Sequence, residues 1–432
     1  MRARLFDPRS VAFGQATLVA VLGLGVNLVS ALLLAGCSMT PAYERPAPPV
    51  PATLPQGEAY AAPAAGETAG LAWTELVQDA RLRTVIERAL ANNRDLRAAI
   101  ANVQSARAQY RVQRAAQLPT VTADAGASLT RQNDARQNSY SADIGFSAFE
   151  IDLFGRVRSL TEAALETYLA TEEGARSTRI ALIAETASAY ATLAADQELL
   201  ALARQTKASA QRTLDLTRSL NAAGLAGKLD VHQAETTVEQ AASDVAATVT
   251  QVAQDRNALN LLAGAPIEDA LLPLSLDSLI AGISRVPAGL SSDILLRRPD
   301  VLQAEHQLKA ANADVGAARA AMFPTISLTS AIGVASSALS SLFSGGGFAW
   351  SVSPSASLPI FGGANRGNLD YSKAQRDLYL AQYEQAIQTA FQEVADGLAR
   401  AGTIDAQQAA QRRLVTANAR AYDLAEQRYR AG

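Results

Sequence analysis

Cysteine and histidine are scarce in this chain of 432 residues, which has one cysteine and two histidines. A single thiol forms no intramolecular disulfide and builds no cysteine-rich metal site. The histidines, His232 and His306, lie far apart, and we expect His306 to be solvated on a helix surface. His232 is two residues from Asp230, and side chains at that spacing on a helix do not face each other. Neither histidine therefore indicates a metal site.

Aromatic residues and net charge are also low, at 5% Phe, Trp and Tyr and a formal charge of −3. Without a basic excess the chain is unsuited to neutralising phosphates, which argues against a nucleic-acid partner. Few aromatics together with much Ala, Leu and Gln are typical of long helices that contact only their neighbours. The glycine-rich stretches 22–25 and 344–347 do not precede a helix as a phosphate-binding loop would. We therefore predict no catalytic residue, no cofactor and no metal.

The N-terminal segment has the pattern of a targeting sequence. Arg2, Arg4 and Arg9 precede an almost uncharged apolar run over 11–34. A run of this length could instead be a transmembrane helix. The small residues Ala35 and Gly36, directly before Cys37, favour cleavage. We predict a signal peptide over 1–36.

A proline-rich segment follows, with six prolines between positions 41 and 55. Proline fixes φ and has no N–H to donate, so such a segment is extended rather than folded. We predict an extended strap over 37–70 that connects a membrane anchor at its N-terminal end to the folded part of the chain. We expect this strap to contribute nothing to the core.

One phrase occurs twice in the chain, as RAAQLPTVTAD at 114–124 and RAAMFPTISLT at 319–329. FGRVRS at 154–159 likewise matches FGGANRG at 361–367. Each half of the chain therefore reads helix, β-hairpin, helix, which indicates an internal duplication. The predicted elements are a helix over 71–118, a β-hairpin over 119–153, a long helical hairpin over 154–264, an irregular insert over 265–290, a helix over 291–323 that Ser292 would cap, a β-hairpin over 324–361 and a long helix over 362–432.

The hairpins are predicted from residues that alternate between apolar and polar, a period of two that is typical of strands. We assign the polar stretch 131–139 to the first turn. Strands of about ten residues suit a tilted bilayer crossing, and Phe348 and Trp350 suit its interface. Four strands leave two open edges, so a membrane-spanning sheet requires several chains to pool their strands. The alternative is that both hairpins pack on helices as in a soluble protein.

The two halves differ at their ends. LDLTRSLNAAG at 214–224 aligns with YDLAEQRYRAG at 422–432, but only the first copy continues as a returning helix. We expect the second copy to be truncated at the C-terminus. The last helix would then run to the end of the chain. Its apolar seam would be covered by other helices or left partly exposed to water; the seam consists of Ile387, Phe391, Val394 and Leu398. We expect the distal part of this helix to be poorly buried.

Several long stretches resemble the TolC-like outer-membrane efflux factors, in the lipoprotein branch that serves resistance-nodulation-division (RND) pumps. They are LLLAGCSMTPAYERP, NRDLRAAIANVQSARAQYRVQRAAQLPT, FEIDLFGRVRSLTEAALETYLATEEGARS, LLRRPDVLQAEHQLKAANADVGAARAAMFPTISL and LPIFGGANRG. The resemblance implies a mixed α and β membrane protein. Its long periplasmic helical barrel would continue into a transmembrane β-barrel with four strands from each of three protomers.

The same resemblance implies partners, a location and site residues. The partners are two further copies, a periplasmic adaptor, an inner-membrane RND transporter and outer-membrane lipid, with no nucleic acid. LAGC resembles a lipobox, in which Cys37 carries diacylglycerol on sulfur and an acyl chain (palmitate) on nitrogen. The tips of the helices would form a gate, to which Asp230 and Tyr429 belong. The insert 265–290 would lie at the outer waist of the tunnel.

Three other interpretations stay open. Asp230 could simply favour the N-terminus of its helix through the helix dipole. The chain could be the outer-membrane duct of a type I protein secretion system, which has the same fold and a different cargo. It could also be a lipoprotein scaffold of coiled coils that conducts nothing.

Overall fold

The computed structural model describes residues 38–60, 72–132, 135–283, 292–344 and 347–431. The signal peptide, Cys37 and the end of the strap lie outside the described residues. The chain forms two compact units. The first contains 104–171 and 303–385 together with the chain up to 47, and the second contains 48–103, 172–302 and 386–432.

The first unit contains one antiparallel sheet of four strands in the order β1-β2-β3-β4. The strands are β1 (Thr122–Gln132), β2 (Ala135–Ile151), β3 (Thr325–Ser336) and β4 (Phe348–Ser357). The predicted hairpins β1–β2 and β3–β4 are both present. The stretch 131–139, assigned above to a turn, is mostly strand, because Arg131 pairs with Arg136 and Gln132 with Ala135.

The helices of the described residues are α1 (Trp73–Leu76), α2 (Ala80–Asn92), α3 (Arg94–Ala115), α4 (Arg156–Ala222), α5 (Lys228–Ala263), α6 (Leu276–Ala281), α7 (Pro299–Ala320) and α8 (Ala364–Ala431). Among the described residues, none of these helices has both the length and the apolar character required to cross a membrane. Strand β2 passes into α4 at Gly155, whose φ of 77° suits glycine. Asp152 accepts a hydrogen bond from the Arg158 backbone N–H at the start of α4, at 2.8 Å.

The helix predicted over 71–118 is in fact three helices, because two capping residues interrupt it. Asp79 accepts a hydrogen bond from the backbone N–H of Leu82 at 2.8 Å. The buried Asn93 accepts one from Leu96 at 2.9 Å and donates one to the carbonyl of Leu262 at 3.1 Å. A side chain that caps a helix satisfies N–H groups that would otherwise lack partners, so it sets a new helix start.

Two further boundaries differ from the prediction. Residues 292–297 form a 3₁₀ turn, and α7 starts only at Pro299, which is a favourable first helical position. Ser292 therefore does not cap the α-helix. The insert 265–290 contains the 3₁₀ turn Asp269–Leu271 and helix α6, and its residues 284–290 are outside the described ones.

The main apolar core of the second unit joins α2, α4, α5 and the insert. Tyr190 is fully buried there and donates a hydrogen bond to the carbonyl of Leu271 at 2.9 Å. Burial raises the pKa of its phenol to about 12. The other core residues are Val77, Leu82, Val85, Ile86, Leu193, Ala194, Leu259, Ala263, Ile267 and Leu279.

Helix α8 is well packed at Ile387, which is fully buried, and exposed further along. Leu414, Val415, Tyr422 and Leu424 are all more than half exposed. This distribution confirms the expectation that the distal part of the last helix is poorly buried.

Candidate functional site

One face of the sheet is apolar, and it is exposed in the single chain. Residues that pair directly across antiparallel strands lie on the same face. Ile144 pairs with Ile332, which pairs with Trp350. In the next row, Val334 pairs with Phe348. All of these except Val334 are at least half exposed, and Trp350 reaches 69%.

The opposite face of the sheet has small and polar side chains. Asp124 pairs with Asp143, which pairs with Gly333. Gly333 lies so close to β2 that an added Cβ would come within 2.2 Å of the Ala142 carbonyl oxygen. The pairing register thus places the apolar side chains on one face of the sheet and the small and polar side chains on the other, as the alternation in the sequence predicts. A sheet with these two faces can separate an apolar medium from a watery one.

Within the described residues, each edge strand of the sheet is paired on its inner side only and has no strand on its outer side. Strands β1 and β4 are the first and last in the sheet order. The described side chains of β1 and all those of β4 are exposed. Pro354, which has no N–H, lies in β4, where an edge position tolerates it. Unpaired edges of this length are a template for strands of another chain.

The strap docks on the first unit through a buried carboxylate, which corrects the expectation that it contributes nothing to the core. Glu305 of α7 is 2% exposed. The guanidinium of Arg45 donates to both of its carboxylate oxygens, at 3.0 and 2.7 Å. Lys309 lies one turn further along α7, with Nζ 3.1 Å from Oε1. The buried charge therefore has two cationic partners.

An aromatic side chain, that of Tyr43, also belongs to this cluster. Tyr43 donates its hydroxyl to Glu305 at 3.3 Å, and the Lys309 ammonium lies 5.2 Å from the centre of its ring. Burial, followed by the nearby carboxylate, raises the pKa of Tyr43. Burial opposes ionisation of Glu305, but the hydrogen bonds from Lys309 and Arg45 outweigh it and hold its pKa below the usual range.

Further hydrogen bonds continue the docking toward the start of the strap. Asn312 donates its side-chain amide to the carbonyl of Pro41 at 2.8 Å. Thr40 shares a hydrogen bond with the buried Ser159 at 2.8 Å. Thr40 also lies against Gly316, where a Cβ would come within 2.4 Å of the threonine hydroxyl. The strap is thus fixed to α4 and α7 within a few residues of Cys37.

His306 is not the solvated residue that we expected. Its Nδ1 lies 2.6 Å from Oε2 of Glu166 on α4, and the two side chains are 19% and 17% exposed. Burial, then repulsion from Glu166, raises the pKa of Glu162 one turn earlier. The sequence could not show this pair, because α4 and α7 are distant in the chain.

Asp230 is the third residue of α5, at the tip of the α4–α5 helical hairpin. Its Oδ2 accepts a hydrogen bond from the Gly227 backbone N–H at 2.8 Å. The turn itself is closed by Asn221, which donates its amide to the Ala226 carbonyl at 2.7 Å. Gly224 has φ of 77°, as a helix-ending glycine does. Within the chain Asp230 therefore has the role of a helix cap.

The other predicted gate residue, Tyr429, lies in the last turns of α8, and its side chain is outside the described residues. The structure shows a different tyrosine in a polar contact between helices. The hydroxyl of Tyr422 on α8 lies 3.2 Å from the hydroxyl of Ser209 on α4. Sequence reasoning missed this contact.

His232 pairs with Glu235 at 2.9 Å rather than with Asp230. Glu235 also accepts a hydrogen bond from Arg218 across the hairpin at 2.8 Å, and these two contacts lower its pKa. Over the described residues, no group of three or more His, Cys, Asp or Glu is arranged to hold a metal ion.

The chain is similar to known outer-membrane proteins in both sequence and structure. A family model described as outer membrane efflux protein matches residues 85–265 and 290–432. The chain is 49% identical over 416 residues to the probable efflux pump outer membrane protein TtgC of Pseudomonas putida, covering 94% of this chain and 86% of the relative.

Solved structures are similar over most of the chain. A membrane protein from Pseudomonas aeruginosa matches with a TM-score of 0.83 and 41% identity, covering 92% of this chain and 91% of the other. The open state of the MtrE outer-membrane channel of Neisseria gonorrhoeae matches with a TM-score of 0.82 and 37% identity, covering 92% and 89%. The chain belongs to the outer membrane efflux protein family.

Proposed function

We propose that this chain is the outer-membrane exit duct of a tripartite efflux pump, and that it passively conducts small molecules out of the cell. The observation that carries the proposal is the exposed apolar face of the sheet, centred on Ile144, Ile332 and Trp350. In water such a face is unfavourable, whereas against lipid it is favourable.

The functional unit is a homotrimer. The open edges of β1 and β4 need partners, because backbone groups left unpaired in hydrocarbon cost several kcal/mol each. Three chains with four strands each would close one transmembrane barrel, and their helices would form the periplasmic tunnel. The hairpins over 119–153 and 324–361 are its membrane-spanning parts.

The energy for transport comes from a partner. An inner-membrane RND transporter would drive export, and a periplasmic adaptor would join it to the helical tips of this chain. The name of the relative TtgC, a probable efflux pump outer membrane protein, supports an efflux duct over the type I secretion duct.

Lipid attached to Cys37 would anchor each chain in the outer membrane, after removal of residues 1–36. Several acyl chains on one residue give stable membrane attachment, where a single chain does not. The docked strap supports this proposal, since it holds Met39 and Thr40 against the first unit. Mass spectrometry of the mature N-terminus should find acylated Cys37. An unmodified N-terminus upstream of residue 37 would rule out the anchor.

The channel function is tested with purified protein in planar bilayers and in a strain that lacks its own exit duct. We expect discrete conductance steps in the first assay and restored drug resistance in the second. A stable trimer that gives no conductance and restores no resistance would favour the scaffold interpretation instead.

A further inference from the structure

Phe154 and Phe323 form an aromatic contact where the sheet meets the helices. The internal duplication predicts an equivalent contact that a single chain cannot form. The rings of Phe154 and Phe323 stack with their centres 4.8 Å apart and their planes at 20°. Phe154 lies shortly after the end of β2 at Ile151, and Phe323 lies shortly before the start of β3 at Thr325. The contact thus lies beside the last pair of these two strands, Ile151 with Ile326.

The internal duplication assigns each of these residues an equivalent. Phe154 in LFGR corresponds to Phe361 in IFGG, and Phe323 in MFPT corresponds to Leu118 in QLPT. The same alignment relates β2 to β4 and β3 to β1. Since β1 and β4 are at opposite edges of the sheet, Phe361 and Leu118 cannot meet as Phe154 and Phe323 do.

The equivalent residues are indeed uncovered. Phe361 is 101% exposed and Leu118 is 71% exposed. Leu358 and Val121, the equivalents of Ile151 and Ile326, are also more than half exposed. Two matched apolar pairs are therefore each split between the two free edges of the sheet. When two complementary surfaces lie at different places on one molecule, the first surface of one copy binds the second surface of the next copy. Such head-to-tail contacts close into a ring when the rotation between successive copies permits it.

We propose that Phe361 of one copy packs on Leu118 of the next copy, in the way that Phe154 packs on Phe323 within a chain. Leu358 then lies opposite Val121 of that next copy, which sets the register between β4 and the neighbouring β1. This inference rests on the proposed homotrimer and specifies one side-chain contact within it. The contact fixes the corner just outside the strand pairing, where register is otherwise weakly determined.

Cysteine pairs test the contact, because Cys37 is the only cysteine of the chain. The double variant Leu118→Cys with Phe361→Cys is treated in membranes with a short bismaleimide and run on a denaturing gel. We expect covalent dimers and trimers. The pair Phe154→Cys with Phe323→Cys should link within the chain and stay monomeric. Each single variant controls for any reaction at Cys37.

A second pair controls for chance collisions between exposed residues. Phe348 is 67% exposed but lies at the other end of β4, so Leu118→Cys with Phe348→Cys should give no oligomer bands. Native mass spectrometry of the same samples reports the trimer independently. A trimer in which Leu118 and Phe361 link no better than Leu118 and Phe348 would overturn this contact and leave the proposed function standing. A monomer would overturn both.

Discussion

Nη2 of Arg45 lies 2.7 Å from Oε2 of Glu305, a carboxylate that is almost completely buried and 260 positions away in sequence. Arg45 belongs to the strap and Glu305 to α7, so this ion pair joins the proline-rich segment to a helix of the first unit. The strap is therefore part of the folded unit rather than a free tether.

Replacing Arg45 by Ala should release the strap. A buried acceptor that loses a charged donor costs about 1–3 kcal/mol, and Lys309 would be the one cationic partner of Glu305 that remains among those described above. Hydrogen exchange measured by mass spectrometry should rise in residues 38–48. Glu44→Gln is the matched control, because Glu44 is an exposed carboxylate next to Arg45 and should leave exchange unchanged. Equal exchange in both variants would mean that Arg45 does not hold the strap.

Acid should weaken the same contact. The pKa of Glu305 is held below its usual value of 4.5, so the ionised form stabilises docking above that pH. The stabilisation is lost as the pH falls through the lowered pKa. Protection of the amides in residues 38–48, measured relative to their intrinsic exchange at each pH, should therefore fall below about pH 4.5 in the native protein. Glu305→Gln should show low protection at all pH values. An acid response that survives in Glu305→Gln would assign it to another group.

The sequence predicted the sheet better than it predicted the strap, and the reason is the range of the interactions. Alternation along each strand is local, so it was enough to place Ile332 and Gly333 on opposite faces. The strap contact joins residues 260 positions apart, and no local pattern in ERPAPP shows a partner for Arg45. The burial of His306 likewise depends on α4, which AEHQLKAA does not reveal.

Capping residues explain the wrong helix boundaries. In the sequence, Asn93 is one polar residue within the single helix predicted over 71–118. In the structure it caps α3 and donates a hydrogen bond to Leu262. The hydrogen bond from Asn93 to Leu262 of α5 favours the capping position. This tertiary contact outweighs the local helix propensity that predicted a continuous helix.

Replacing His306 by Ala should destabilise the protein. Glu166 would lose its partner while remaining mostly buried, and Glu162 lies one turn away, so we expect a loss of about 1–3 kcal/mol. Thermal unfolding in detergent should show a lower midpoint. His232→Ala is the matched control, since His232 is 74% exposed and should unfold like the native protein. If both variants unfold alike, the His306 pair contributes nothing to stability.

Arginine substitutions on β4 distinguish the two faces of the sheet. Val352 is on the apolar face and Ser351 on the other, at adjacent and exposed positions. An arginine that faces lipid near the bilayer centre costs about 2–4 kcal/mol, whereas one that faces a water-filled lumen does not. Val352→Arg should therefore reduce the protein recovered in outer membranes, and Ser351→Arg should insert normally and change conductance. Equal recovery of the two variants would contradict a lipid-facing role for the apolar face.

Substitutions of Asp230 separate a gate from a cap. Asp230 accepts a hydrogen bond from the Gly227 N–H, and an asparagine oxygen can accept the same bond without a charge. If Asp230 also forms charged links between neighbouring tips, Asp230→Asn should raise the resting conductance in planar bilayers as much as Asp230→Ala does. If it only caps α5, Asp230→Asn should conduct like the native protein, and only Asp230→Ala should differ. We expect the first result, because the carboxylate is exposed at the tip. Native-like conductance of Asp230→Asn would remove Asp230 from the gate and leave it as a helix cap.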